Sequence, residues 1–477
     1  MLNRISHLPL ALILTLVLAS APTSPARAAN PKEDYVAFCV GPNTDDPNAD
    51  CVHVLKIGAA NARRVLVLVP GGSEGAESFR DVGRHISNAL PDTQVWAFDR
   101  RQQNLIDASR FGNNAEAEYY LKGQYHQVTA ENTAATRNWG LVMSLTELRR
   151  VVLAASAGAR QVWLGGHSWG ATTALAYAAW DFDGHPGFRD LAGLILIDGG
   201  AHGSFDGEGY SVAKISSVQE LEKKLDAIKA GSPFSGDLGF VWGLPGAPES
   251  LPIYYQLAAD YALRNPHGAS PLQTLLPKSM QPAVKVTNAA LLGWLLDTHA
   301  PAPDLQAHSG HVDTTNVRVH DWIVDGPADI GDLAAIFAHS RPAALEWYWP
   351  RRLSLDLTAI DPMQDSPVTQ ALGLRLTHAA DIDIPLYVFA TGITHGTVVS
   401  SSQWVVANSK IHKVVYVTDD SMSHLDPLYD RLDHNKFVQT LIKFLQESAL
   451  AKNRMESMLT QGRMQRKVLT GSTDSVS

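Results

Sequence analysis

Cysteine is nearly missing from this chain. Only Cys39 and Cys51 occur in 477 residues. No second cysteine pair or histidine pair stands beside them at ligand spacing, so the pattern carries no metal site. Two thiols across a short Pro/Asn/Asp-rich loop (FCVGPNTDDPNADCV) instead read as a disulfide, and hence as an oxidising compartment. Excess basic charge is missing as well: Lys and Arg number 39 against 48 Asp and Glu, the net charge is −9, and no basic stretch is long. Phosphate recognition needs clustered Lys/Arg, which excludes a nucleic-acid partner. Long apolar runs are also scarce. The longest, Leu8 to Ala19, holds about a dozen residues where a bilayer span needs roughly 20. With Arg4 before it and Ala26-Arg27-Ala28 after it, residues 1–28 read as a secretory signal. The mature chain is therefore expected to be exported, to the periplasm or the medium, without stable membrane insertion. Internal repeats and long low-complexity tracts are absent too.

What is present is a series of short apolar, β-branched runs closed by Gly, Pro or Asp. Val65 to Val69 ends in Pro70-Gly71-Gly72, Val95 to Phe98 in Asp99, and Leu194 to Ile197 in Asp198-Gly199-Gly200. Val162 to Leu164 runs into a glycine-rich turn, Leu386 to Ala390 follows a proline, and Val414 to Val417 ends in Thr418-Asp419-Asp420. Continuous rather than alternating apolar runs suit strands buried on both faces of a parallel sheet. Helical patterns at 77–89, 141–155, 171–180 and 437–449 separate them, which predicts a doubly wound α/β sheet. The alternation breaks between 203 and 379, a Pro-, Trp- and Tyr-rich stretch with helical patches such as 253–263 and 290–296. It reads as an inserted, mainly helical cap between core segments 29–202 and 380–450, with a tail from Ala451.

The turn after Val162–Leu164 reads LGGHSWG. With 36 glycines in the chain, a Gly-x-Ser-x-Gly match arises by chance in roughly one such chain in five, so its context decides. A strand (VWL) precedes Ser168 and a small-residue helix (ATTALAYAA) follows it, as a nucleophile on a strained strand-to-helix turn requires. On Gly166-His167-Ser168-Trp169-Gly170, the Pro70-Gly71-Gly72 turn and a late histidine in DDSMSHLDPL, the chain resembles the α/β-hydrolase superfamily from about Arg64 to Leu450. The resemblance implies a mostly parallel sheet with a large helical cap inserted after the sixth strand, and an acyl-enzyme mechanism without cofactor or metal. It also implies triad residues in the order serine, acid, histidine.

A serine hydroxyl needs a base. His424, after the last strand run, stands where the resemblance places it; His395 and His202 are rivals, and His167 is expected to point away as packing. The acid is harder. Relatives most often carry it after the strand read as Leu386 to Ala390, but TGITHGTVVSSS has no carboxylate. Some place it one strand earlier, which makes Asp198 the leading candidate, with Asp419, Asp420 and Asp206 as alternatives. Oxyanion donors are expected from the backbone N–H groups of Trp169 and Gly72, with Ser73 as the other register.

Glu74 is expected to be a solvated loop residue, and Asp99-Arg100-Arg101 a salt bridge beneath a loop rather than a substrate clamp. Among Trp242, Trp294, Trp322, Trp347 and Trp349, one or two are expected at the cleft. The expected function is a secreted serine hydrolase cleaving a carboxylic ester of a small molecule or polymer. An amidase or aminopeptidase on the same triad, and a non-catalytic binding protein of hydrolase fold, are the alternatives. Dehalogenase and epoxide hydrolase chemistry is disfavoured, because those relatives use aspartate where Ser168 stands.

Overall fold

The structure is a computed structural model that describes residues 31–39, 50–112, 116–128, 134–208, 214–235, 247–300, 306–315 and 317–450. Residues 1–28, expected to be a secretory signal, Trp242 and the tail from Ala451 lie outside the described residues.

Eight strands form one sheet: β1 (Glu33–Cys39), β2 (Cys51–Ile57), β3 (Arg64–Val69), β4 (Thr93–Asp99), β5 (Gln161–His167), β6 (Gly193–Ile197), β7 (Leu386–Thr391) and β8 (Val414–Asp419). Their spatial order is β1-β2-β4-β3-β5-β6-β7-β8. The first two pairings are antiparallel and all the others parallel. Strands β3, β6 and β7 are buried at every residue, which is why they read as unbroken apolar runs. Six of the eight strands were legible as apolar runs. The other two were missed: β1 opens on Glu33-Asp34, and β2 (CVHVLKI) is interrupted by His53 and Lys56. Cys39 faces Cys51 in their register, and the two form the disulfide.

The crossovers include α1 (Arg80–Ala89), α2 (Leu141–Ala155) and α3 (Trp169–Ala179). Between β6 and β7 lie α4 (Val218–Ala230), α5 (Ser250–Arg264), α6 (Asn288–Gly293), α7 (Ile330–Ala338) and α8 (Arg351–Ala359). After β7 come α9 (Thr397–Ala407) and a last helix over 436–450. The stretch between β6 and β7 also carries two short strand pairs, Gly310–Val312 with Trp322–Val324 and Phe234–Ser235 with Trp349–Pro350. It is not a loose appendage. Leu257, Leu291 and Leu333 share one apolar cluster with Leu66 of β3, Phe79 just before α1 and Ile86 of α1. Buried Asp356 on α8 accepts the Leu141 N–H at 2.8 Å, which satisfies an orphan donor at the start of α2. Strand order, parallel crossovers and the turn from β5 into α3 together make this the α/β-hydrolase fold. No helix among the described residues is long and apolar enough to cross a membrane.

Candidate active site

Ser168 ends β5 and opens α3 with φ 54° and ψ −127°, a conformation that L-residues adopt only under constraint. The surrounding packing imposes it. A Cβ on Gly166 would lie 2.2 Å from the Gly170 carbonyl, and one on Gly170 would lie 2.0 Å from Val69 O. Only glycine lets the incoming strand, the helix and β3 approach so closely. The Ser168 N–H donates to Ile197 O at 3.0 Å, which ties the turn to the end of β6.

Directly beyond Ile197 stands Asp198, fully buried and with φ 45°. Its Oδ1 accepts the Thr391 N–H at 2.7 Å, and its Oδ2 accepts the Thr391 hydroxyl at 2.7 Å. The same Oδ2 meets His424 Nδ1 at 2.7 Å. Thr391, at the end of β7, thus stands where the TGITHG loop lacks a carboxylate, and it holds the carboxylate that follows the preceding strand, β6. With the carboxylate ionised, Nδ1 donates to it, and a neutral His424 then carries its lone pair on Nε2.

The alternatives lie elsewhere. Asp419 Oδ1 accepts the backbone N–H of Ser421 at 3.1 Å and its hydroxyl at 2.6 Å. Asp206, His202 and His395 are exposed. The His202 ring stacks on Trp404 with centroids 3.8 Å apart, and His395 sits in a left-handed turn.

The turn after β3 packs against Ser168 and Trp169. A Cβ on Gly71 would fall 2.9 Å from Ser168 Cβ, and one on Gly72 would fall 3.0 Å from Trp169 Cδ1. Arg100 pins this turn from below: its guanidinium donates to the Pro70 carbonyl and, at 3.2 Å, to Gly71 O. Glu346 holds the same guanidinium at 3.1 Å, and burial pushes that carboxyl up to about 7 against the pull of Arg100. Arg101 is likewise buried, on Glu147 and Asp50. Both arginines are structural.

Trp347 is buried in the core, and Trp294 donates its indole N–H to Met280 O at 3.2 Å. Trp322 packs flat against Gly293. Trp349 is the one beside Gly72, with Arg100 over its ring at 5.0 Å.

Two expectations fail here. Glu74 is buried rather than solvated, and His167 is a polar link rather than packing. Glu74 Oε2 accepts the Gly71 N–H at 2.7 Å, and its Oε1 meets His167 Nδ1 at 2.8 Å. His167 Nε2 lies 2.8 Å from the backbone carbonyl of His424. Burial alone would raise the Glu74 carboxyl. The charge and hydrogen bond of His167, the Gly71 N–H and the charge of His424 outweigh that and hold it below the usual carboxylate range. Sequence reasoning missed the pair because 93 residues separate its members. Its one sequence signal was a histidine on a strand that is otherwise apolar.

No protein-family model and no curated protein sequence matches the chain. Among solved structures it is similar to a Sulfolobus solfataricus protein provisionally assigned as a lipase, at 17% identity over 87% of this chain and 94% of that chain, with a TM-score of 0.48. An epoxide hydrolase from an endophytic Streptomyces shows 13% identity over 87% and 95% of the two chains, with a TM-score of 0.43. The thioesterase domain from the curacin biosynthetic pathway shows 14% over 87% and 99%, with a TM-score of 0.40.

Proposed function

We propose that this chain is an exported serine hydrolase that cleaves a carboxylic ester through an acyl-enzyme. The observation that carries the reading is the buried Asp198 carboxylate on His424 Nδ1 at 2.7 Å, beside a serine on a constrained strand-to-helix turn. His424 Nε2 takes the Ser168 proton as the hydroxyl attacks the ester carbonyl. The Asp198 carboxylate holds the required tautomer and stabilises the imidazolium that forms. The imidazolium then protonates the leaving alcohol. Water, activated by the same histidine, releases the acid and regenerates Ser168.

Charge on the tetrahedral oxygen is met by the N–H groups of Gly72 and Trp169, neither of which has a protein acceptor among the described residues. Trp169, tilted against Phe205 with ring centroids 4.8 Å apart, and Trp349 border that turn as an apolar wall. Residues 203–379 serve as the cap in this reading. The Cys39–Cys51 disulfide suits an oxidising compartment, in line with a signal at 1–28.

A fluorophosphonate probe tests the reading. Folded wild type should label and Ser168→Ala should not; an unlabelled wild type would sink the enzyme assignment. Matched ester, amide and lactone substrates then separate esterase from amidase action.

A further inference from the structure

Three loops must keep their mutual positions for the chemistry proposed above: the turn at Gly71-Gly72, the Ser168 turn and the loop bearing His424. Asp198 orients the His424 ring but does not hold that residue's main chain. A separate buried chain of bonds does. It runs from the Gly71 N–H through Glu74 and His167 to the His424 carbonyl, with links of 2.7, 2.8 and 2.8 Å. Both ends lie on backbone, and His167 is the residue before Ser168.

The proton positions follow from the acceptors. A carbonyl oxygen cannot donate, so His167 Nε2 carries a hydrogen. Both Glu74 oxygens receive bonds, one of them from an amide N–H, so Nδ1 carries a hydrogen as well when the carboxylate is ionised. The pair is therefore a buried, hydrogen-bonded carboxyl–imidazole couple with both ring nitrogens and both carboxyl oxygens engaged. Removal of either partner strands the other in a dry site. The His167 and His424 rings also sit with centroids 4.3 Å apart, so displacement of one presses on the other.

We infer that Glu74 and His167 are positioning residues for the proposed hydrolysis, forming a clamp that holds the base loop and the oxyanion turn at fixed distance from Ser168. The inference rests on the Ser168–His424–Asp198 reading.

The test uses the full-length protein and a p-nitrophenyl ester. Glu74→Ala and His167→Ala should lower kcat about 10- to 100-fold, the usual cost of reacting groups held slightly out of place. KM should stay within about threefold, since substrate binding is not the function removed. The double variant should be no slower than the worse single, because either loss already breaks the clamp. Glu74→Gln should recover to within about threefold of wild type: its amide oxygen still accepts from Gly71, and its NH2 donates to a neutral His167 that keeps Nε2–H on the carbonyl.

Should the alanine variants not fold, Glu74→Asp replaces them. One methylene shorter, it cannot span Gly71 and His167 together, so kcat should fall while the melting temperature stays close to wild type. Folded Glu74→Ala, His167→Ala or Glu74→Asp protein with wild-type kcat would overturn the inference. So would single losses that multiply in the double variant, or Glu74→Gln as slow as Glu74→Ala. Turnover that survives in Ser168→Ala would sink the hydrolase reading together with the clamp, whereas Ser168-dependent turnover in an unimpaired Glu74→Ala removes the clamp alone.

Discussion

Replacement of Asp198 by asparagine changes one oxygen to NH2 with almost no change in volume, and the surrounding bonds dictate the outcome. Asp198 accepts three hydrogen bonds: Oδ1 from the Thr391 N–H, and Oδ2 from the Thr391 hydroxyl and His424 Nδ1. An asparagine can keep only one oxygen. The Thr391 N–H is fixed by the backbone of β7 and needs an acceptor, so the oxygen must take the Oδ1 place. The new NH2 then faces His424 Nδ1. To accept from it, Nδ1 must give up its hydrogen, and the proton moves to Nε2. His424 now presents a donor where Ser168 needs a base. The fold should survive, because the hydroxyl of Thr391 can rotate to donate elsewhere.

Loss of the correct tautomer in a Ser-His-Asp triad costs about 10⁴ in kcat. At 1.36 kcal/mol per decade, that is about 5 kcal/mol of transition-state stabilisation. The assay is hydrolysis of a p-nitrophenyl ester, with folded protein checked by thermal melting. Asp198→Asn activity within about tenfold of wild type, with collapse in Asp419→Asn instead, would refute the assignment and the geometry behind it.

In Gly170→Ala the new methyl would lie 2.0 Å from the Val69 carbonyl, a backbone atom that cannot move aside. The melting temperature should drop and probe labelling of Ser168 should vanish; wild-type values for both would show the elbow to be loosely packed. Reduction of Cys39–Cys51, with a sequence separation of 12, should cost about 3 kcal/mol in the chain-entropy account, read as a lower urea midpoint. An unchanged midpoint would mean that pairing of β1 with β2 holds the terminus unaided.

Asp430 adds a pH signature. Burial, with the neighbouring Asp426 charge, pushes its carboxyl up to about 8 from an ordinary value near 4, and its buried Oδ1 has no hydrogen-bond partner among the described residues. Its folded pKa is raised, so its stabilising contribution is complete below pH ~4 and lost as pH rises through about 8. Asp430→Asn should therefore come closest to wild type below pH ~4 and melt higher than wild type near pH 9. An equal difference at both would contradict this.

The parallel core was legible because burial on both faces writes strands β3, β6 and β7 as continuous apolar runs. The edge strand β1 was not, since it opens on Glu33-Asp34 and buries no residue fully. Ser168 could be singled out because a nucleophile elbow is a local device, confined to a strand end, a few glycines and a helix start. Partners across the chain follow other rules. Asp198 and His424 lie 226 residues apart, and the bond between them exists only because β6, β7 and the loop after β8 are neighbours in the sheet.

The sequence by itself therefore determined the sheet class, the serine turn and a short set of acids and histidines from which a triad could be drawn. Only the tertiary structure decided which acid meets His424. It also turned Glu74 from a solvated loop residue, and His167 from packing, into one buried hydrogen-bonded pair. Hydrogen bonds and desolvation depend on what lies within about 3 Å in space, and local sequence pattern carries that information only when chain neighbours and spatial neighbours coincide.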